Sequence, residues 1–518
     1  MKPDKTTMAA LTTLALTAST VLAADKFSDG ISTWDTSSAV WGTVSGGPYT
    51  STWSNGDNAT FEGTAGTVTL GEAITADSMT FTTDGYTIDD GGNTLTLSSE
   101  GTITANANNI TIDADLGGSN LKWNLDGTGS ATWTGNKDGG QFNKNGSGTW
   151  TLEGLVDGRV CNINAGHLVV TGTLSDSYRY IRINSGATLH YNSSGAIDSR
   201  SGTSTSWRWQ LQGGALLDNT SGAAITTSDH DPSQWWNGDW TFLGSNGANS
   251  DLYLGTGEVG LTGSRTITVS NALTTLSVGG VIADYGNNYG VTKDGPGTLV
   301  LSAVNTYTGT TTVSAGTLSL GDGTDNSNLA DTSVLEIATG AELDANWSAG
   351  NVDDVFLLTF DGVPQVAGTW GSLASSATNK DARITGTGVI NNQGGVYTDG
   401  TFFWDGVNTG GTGDGASDGG LGTWSTSTDN WDRGLVAKEV WTNDTGNKAL
   451  FSGPSGDVTL GTDITLGELI FQSAAADGYL ITGNTLNFGG ANTITVESNP
   501  TIESAITGSP TVDVIAGN

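Results

Sequence analysis

The stretch from Lys293 to Gly321 reads KDGPGTLVLSAVNTYTGTTTVSAGTLSLG, and its pattern decides the fold. Val313-Ser-Ala-Gly-Thr-Leu-Ser-Leu320 alternates apolar with small residues, as does Thr94-Leu-Thr-Leu97 further upstream. Period two is the signature of a strand with one buried face. Thr and Val suit such a surface because a branched Cβ packs well on a pleat. Gly, Asn and Asp cluster at the joins, where a positive φ is often required. No long helical periodicity follows residue 23, and hairpin signals do not dominate.

The same stretch has an echo upstream. Lys144-Asn-Gly-Ser-Gly-Thr-Trp-Thr-Leu152 matches Lys293-Asp-Gly-Pro-Gly-Thr-Leu-Val-Leu301. Each copy continues into an apolar-x-Ala-Gly element, Ile163 to Gly166 and Val313 to Gly316. Each then reaches Ile-x-x-Gly-Ala-x-Leu, at Ile183 to Leu189 and at Ile337 to Leu343. The intervals are those of a solenoid turn: 19 residues from Leu299 to Leu318, 25 from Leu318 to Leu343, and 21 from Leu168 to Leu189. Repeats near this length signify stacked units. Glycines fall at matching places, Gly148, Gly166 and Gly186 in one copy and Gly297, Gly316 and Gly340 in the other. The expected fold is all-β, a right-handed parallel β-helix of the pectin-lyase-like kind, built of repeated modules.

A second repeat joins the two ends of the chain. Trp34, Trp41, Phe61, Val68, Leu70, Ile74 and Phe81 recur 390 residues later as Trp424, Trp431, Phe451, Val458, Leu460, Ile464 and Phe471. The chain therefore divides into a leader at 1–23, a tryptophan-containing module at 24–115 and a solenoid at 116–290 with the first repeat copy at 144–189. The strong repeat follows at 291–343 (core 293–321), then a β-rich end at 344–392 and a glycine-rich linker at 393–423. A second tryptophan module at 424–518 is read as cut short.

Composition agrees. The chain has 518 residues with 78 glycines, 8 prolines, 1 cysteine and 35% hydrophobic residues. Collagen would need more proline and a strict triplet, a disulfide scaffold more cysteine, and a disordered chain fewer apolar residues. Only 18 Lys and Arg stand against 53 Asp and Glu, for a net charge of −35. Nucleic acid is excluded as a partner, since phosphate binding needs clustered basic residues. Lys2 and Lys5 precede an uncharged run to Ala23 with a small-x-small end, so a secretory signal cleaved between Ala23 and Ala24 is expected. No later stretch has the length of a membrane span.

The run from Lys293 to Gly321 resembles the autotransporter-associated β-strand repeat, also called the passenger-associated transport repeat. The resemblance rests on Gly295, Gly297, Thr298, Leu299 and Leu301, then Asn305, Tyr307 and Gly309, then Ala315, Gly316, Leu318 and Gly321. Segments on both sides, such as Asn237–Gly244 and Ala367–Gly371, look similar to those around this repeat in such proteins. The resemblance implies a β-helical passenger of a Gram-negative bacterium, secreted or displayed at the outer membrane, whose repeats assist secretion. It also implies a membrane barrel or sorting segment; neither is read in this sequence, and the expectation is a truncated frame or a short secreted relative. An adhesive or structural role follows, with carbohydrate or other cell-surface components as partners.

β-Helices also carry polysaccharide lyases and hydrolases, so a carbohydrate-active enzyme is the alternative. Such an enzyme needs grouped carboxylates with a basic neighbour. Asp89-Asp90 and Asp353-Asp354 are adjacent acidic pairs, and turn roles are expected for both. His167 lies in Gly166-His167-Leu168, which fits no glycosidase motif. Asp229-His230-Asp231 with Trp235, Trp236 and Trp240 is the densest polar and aromatic group, read as a loop before a core strand. No cofactor is expected; calcium is the candidate ion, at Asp322, Asp325 and Asn328 or at Asp414 and Asp418. Trp34, Trp41, Trp424 and Trp431 are expected to pack or cap, and Cys161 to lie inside a coil beside Ile163.

Overall fold

The computed structural model describes residues 23–117, 122–137, 140–156, 160–175, 180–193, 197–198, 208–226, 233–323, 328–349, 351–395, 400–407, 417–434, 438–472 and 478–514. The chain is nearly all β and forms a parallel β-solenoid. Its residues divide into two compact units, 1–158 and 159–518. No helix among the described residues is long and apolar enough to cross a membrane. The leader, Lys2 and Lys5 included, lies outside the described residues, up to Ala23.

In the first unit each coil gives one strand to each of two sheets. Asn58–Glu62, Ile74–Phe81, Leu95–Ala105, Lys122–Asp126 and Gln141–Lys144 stack in parallel. Thr67–Leu70, Thr87–Asp89, Ile110–Asp113, Ser130–Trp133 and Thr149–Leu152 form the companion sheet. Alternate residues turn inward, so like side chains stack on like. Phe61 pairs with Phe81, and their rings lie 4.8 Å apart at 10°. The open end of this stack is closed by a hairpin: Trp41–Gly42 lies antiparallel to Asp25–Asp29 and to Tyr49–Ser51. Trp34, Trp41 and Trp53, all buried, plug the core beneath it, with ring centroids 4.9–5.4 Å apart. Edges of a stacked sheet need such cover.

In the second unit a coil has three faces. One turn comprises Ser233–Trp236, Trp240–Phe242 and Leu252–Tyr253, and the next Val259–Leu261, Arg265–Val269 and Thr275–Val278. The register matches the intervals in the sequence. Leu299 pairs with Leu318, Leu318 with Leu343, and Leu168 with Leu189. All are fully buried. The run of coils ends where Gly368–Gly371 crosses antiparallel to Val389–Asn392 and Val363–Pro364 folds back on Leu357–Phe360. A new pair of sheets begins at Thr401–Trp404 and Gly422–Trp424.

That last stack repeats the first tryptophan module in detail. Trp34 pairs with Leu70 and Trp424 with Leu460. Phe61 pairs with Phe81 and Phe451 with Phe471. The register slips between Ala76 and Ser78 and, equivalently, between Leu466 and Glu468. The Tyr86 hydroxyl donates to the carbonyls of Glu62 and Thr64, and the Tyr479 hydroxyl to those of Ser452 and Pro454.

Glycine is required where coils meet at a corner. Gly316 has φ +64°, and a Cβ there would lie 2.5 Å from the carbonyl oxygens of both Gly295 and Gly297. Gly316→Ala should therefore destabilise the protein by at least ~1–2 kcal/mol, from backbone strain plus the clash. A shift of the denaturant midpoint measures it; an unchanged midpoint would show that the corner can widen freely.

Candidate functional site

The repeat residues are consumed by internal structure. Leu299, Leu301 and Leu318 fill the core, and Thr298 pairs with Thr275 and Thr317 on the outer side. Asn305 is buried and joins three coils. Its Oδ1 accepts the Ile282 N–H at 2.9 Å, and its Nδ2 donates to the carbonyls of Ala303 and Asn328. The buried Tyr307 hydroxyl meets Thr311 Oγ1 at 2.7 Å. Gly295 and Gly321 take positive φ, and a Cβ on Gly309 would strike the backbone of Tyr289.

Lys293 is the residue whose role the pattern alone did not show. It sits at an inward position of Val291–Asp294 and is fully buried. Its Nζ donates to the carbonyls of Asp294 at 3.0 Å, Gly295 at 2.7 Å and Ala315 at 2.9 Å. Burial pulls its ammonium down to about 8, against a weaker opposing pull from Asp294. Lys144 in the upstream copy is equally buried and donates to the Gly146 carbonyl. The lysine that opens each repeat is therefore a corner brace, capping carbonyls that the turn leaves unpaired.

The acidic pairs separate. Asp89 and Asp90 accept the N–H groups of Gly91 and Gly92 at 2.9 and 2.7 Å, which are turn contacts. Asp353 is buried. Its Oδ2 accepts the N–H groups of Asn328 and Leu329, while Oδ1 has no hydrogen-bond partner among the described residues. Burial pushes its carboxyl up to about 7, against the pull of those two N–H groups. Its neighbour Asp354 accepts from Asn391 Nδ2. A raised folded value means that the stabilising contribution is complete below the unfolded value near 4 and is lost as pH rises through 7. Asp353→Asn removes this titration. The stability of the variant relative to the native chain should therefore fall by roughly 2–4 kcal/mol from pH 8 to pH 4. Urea midpoints at the two pH values test this, and a pH-independent difference would contradict it.

The other sequence candidates are dispersed. Asp229, His230 and Asp231 lie outside the described residues, as do Asp325 and Asp414. Trp236 and Trp240 are buried and meet edge to face at 5.4 Å, whereas Trp235 turns outward on the same strand. Asn328 is fully buried and donates to the Ala303 carbonyl, a structural placement. The Asp418 N–H donates to the buried Asp405, whose Oδ2 lies 3.6 Å from Lys438 Nζ. Burial holds Asp405 up to about 6. Trp34, Trp41, Trp424 and Trp431 are all fully buried. Cys161 is buried opposite Ile181, and burial pushes its thiol far up, which makes it unreactive. Among the described residues, no three His, Cys, Asp or Glu side chains are grouped to hold a metal ion.

Two arrangements were not visible in the sequence. Asp218, His190 and His167 form a row across three coils. His190 Nδ1 faces Asp218 Oδ2 at 3.5 Å, and its Nε2 meets His167 Nδ1 at 3.0 Å. Burial opposes the charge on Asp218, but contacts from His190 and Ser245 outweigh it and hold the carboxyl low. The Ser245 hydroxyl donates to Asp218, not to an imidazole, so no serine nucleophile is activated here. The other arrangement is an outward column, in which Arg182 pairs with Gln210, Gln210 with Trp235, and Trp235 with Gly260. The signal for both was the coil interval, but unequal loops between coils hide it.

The passenger-associated-transport-repeat family matches residues 291–320. The chain is also similar to the Adhesin BmaC autotransporter of Brucella suis biovar 1 (strain 1330), with 28% identity over 584 aligned positions. That alignment covers 94% of this chain and 16% of the relative, so the chain spans about a sixth of that protein's length. No solved structure matches. The buried lysine, the asparagine link and the corner glycines are thus the working parts of the segment that matches the passenger-associated transport repeat, set within a parallel β-solenoid.

Proposed function

We propose that this chain is a non-enzymatic passenger segment, exported after removal of its leader and acting in adhesion at the cell surface or outside the cell. One observation carries the reading: similarity to a protein named as an adhesin autotransporter runs along 94% of the chain. The geometry supports it, because the repeat residues are spent on corners and core, and the outer faces are left for contact. Contact over many coils adds weak interactions into useful avidity. Secretion would be aided by coils that fold one upon the next.

The test uses beads coated with the purified chain. They should hold to epithelial-cell monolayers several-fold better than albumin-coated beads; equal retention would refute an adhesive role. Incubation with neutral and acidic polysaccharides should release no new reducing ends. Release abolished by substitution of a surface carboxylate would establish an enzyme instead.

A further inference from the structure

We propose that the outward column of Arg182, Gln210 and Trp235, extended by Tyr285, is a binding strip for a neutral pyranose oligosaccharide lying across the coils. The assignment deepens the adhesive reading and rests on it. Strands Tyr180–Ile183, Arg208–Leu211, Ser233–Trp236 and Val259–Leu261 stack in parallel, and register aligns these positions. Their sequence neighbours Ile181, Ile183, Trp209, Leu211 and Trp236 are buried, which fixes the column on the outer side. Another outward column, Thr275, Thr298 and Thr317, carries hydroxyls and ends on the Glu342 carboxylate. This one carries three planar groups in succession.

Those groups are held in place. Arg182 Nε donates to Gln210 Oε1 at 2.8 Å, aligning guanidinium and amide. The rings of Trp235 and Tyr285 lie 5.8 Å apart at 23°. Gly260 makes this possible, because a Cβ there would sit 3.2 Å from both the Trp235 ring and the Tyr285 hydroxyl. Tyr285 is 57% exposed, although its φ is +54°. A bulky residue rarely adopts that conformation, which costs about 1 kcal/mol or more. Its hydroxyl donates to Glu258 at 2.7 Å. The turn beneath it is pinned by Asp284, which accepts the N–H groups of Gly286, Tyr289 and Thr308. An exposed aromatic in a strained, braced turn is a platform for a ligand.

The chemistry fits a sugar chain. The C–H face of a pyranose stacks on an aromatic ring, and planar amide and guanidinium groups bridge adjacent hydroxyls. Neighbouring coils are ~4.8 Å apart, comparable with one sugar unit of an extended glycan. A net charge of −35 repels polyanions, and Arg182 is the one cation among the four named residues of the strip, which favours a neutral chain.

The purified chain should bind at least one of cellohexaose, xylohexaose and N-acetylchitohexaose in titrations followed by tryptophan fluorescence and calorimetry. Tyr285→Ala and Trp235→Ala should each weaken binding at least tenfold, and Arg182→Ala several-fold. Leu273→Ala, at an apolar site 70% exposed elsewhere, should leave it unchanged. Circular dichroism confirms that each variant keeps its fold; because Tyr285 is exposed, its variant decides if Trp235→Ala unfolds. No binding to any of the three, or binding unaltered in Tyr285→Ala, overturns the proposal. Bead adhesion separates the two claims. Adhesion kept by Tyr285→Ala removes the strip and spares the adhesive role, whereas glycan binding without adhesion does the reverse.

Discussion

Trp431→Ala should destabilise the last stack, residues 401–514, by about 3–5 kcal/mol, the range for truncating a buried tryptophan. Trp431 is fully buried at the centre of an aromatic cluster. Its ring lies 4.8 Å from Trp424, 5.0 Å from Trp404 and Trp441, and 5.5 Å from Phe451. Its strand is the antiparallel edge of the sheet, paired with Thr401–Trp404. Truncation opens a cavity that rigid ring neighbours cannot collapse to fill. Trp431→Phe should cost far less, because the indole Nε1 is buried without a hydrogen-bond partner among the described residues and its removal relieves that penalty. Hydrogen exchange locates the effect: protection should fall through Lys448–Phe451 and Ile464–Phe471 first. A solenoid propagates stability between neighbouring coils, so Leu299 and Leu318 should keep theirs. Equal losses for the Ala and Phe variants would contradict cavity formation as the cause.

Lys293→Met should cost about 2–4 kcal/mol, from unpaired carbonyls at about 1–3 kcal/mol each less the relief of a buried charge. Methionine keeps the length and packing of the stem but cannot donate to Asp294, Gly295 and Ala315. The downward shift of the ammonium toward 8 records the desolvation that those carbonyls offset. The loss should appear as a lower urea midpoint and faster exchange of the Gly297 and Thr317 N–H groups, which bond Val269 and Gly297 across coils. Lys144→Met should weaken the first unit similarly. A Lys293→Met chain as stable as the native one would make the lysine an incidental occupant of the corner.

Much of this fold was legible because a solenoid writes its register into its sequence. Each coil needs one inward residue at every second position and a small residue wherever a corner approaches its neighbour. Leu299, Leu318 and Leu343 therefore announced their pairing, and Gly297 and Gly316 announced their corners. The 390-residue correspondence announced that two modules share one plan, down to Trp34 on Leu70 and Trp424 on Leu460. Burial of the four module tryptophans followed from the same logic.

Side-chain destinations were less legible. A lysine reads as a surface residue, yet Lys293 alternates with Val291 on the inward face and finds three carbonyls there. Asp353 reads as one half of a turn pair, yet strand alternation buries it and leaves Asp354 outside. Trp235 and Trp236 are neighbours in a tryptophan-rich run, yet one faces solvent and the other the core.

The sequence by itself determined the class of fold and the repeat, because these depend on local period and spacing. Only the tertiary structure decided which outward residues meet. Loops of unequal length set the interval between coils, so Arg182 to Gln210 and His190 to Asp218 span 28 residues, whereas Gln210 to Trp235 spans 25. Tyr285 reaches Trp235 only because its turn folds back over Gly260, and that contact exists in no strand pattern.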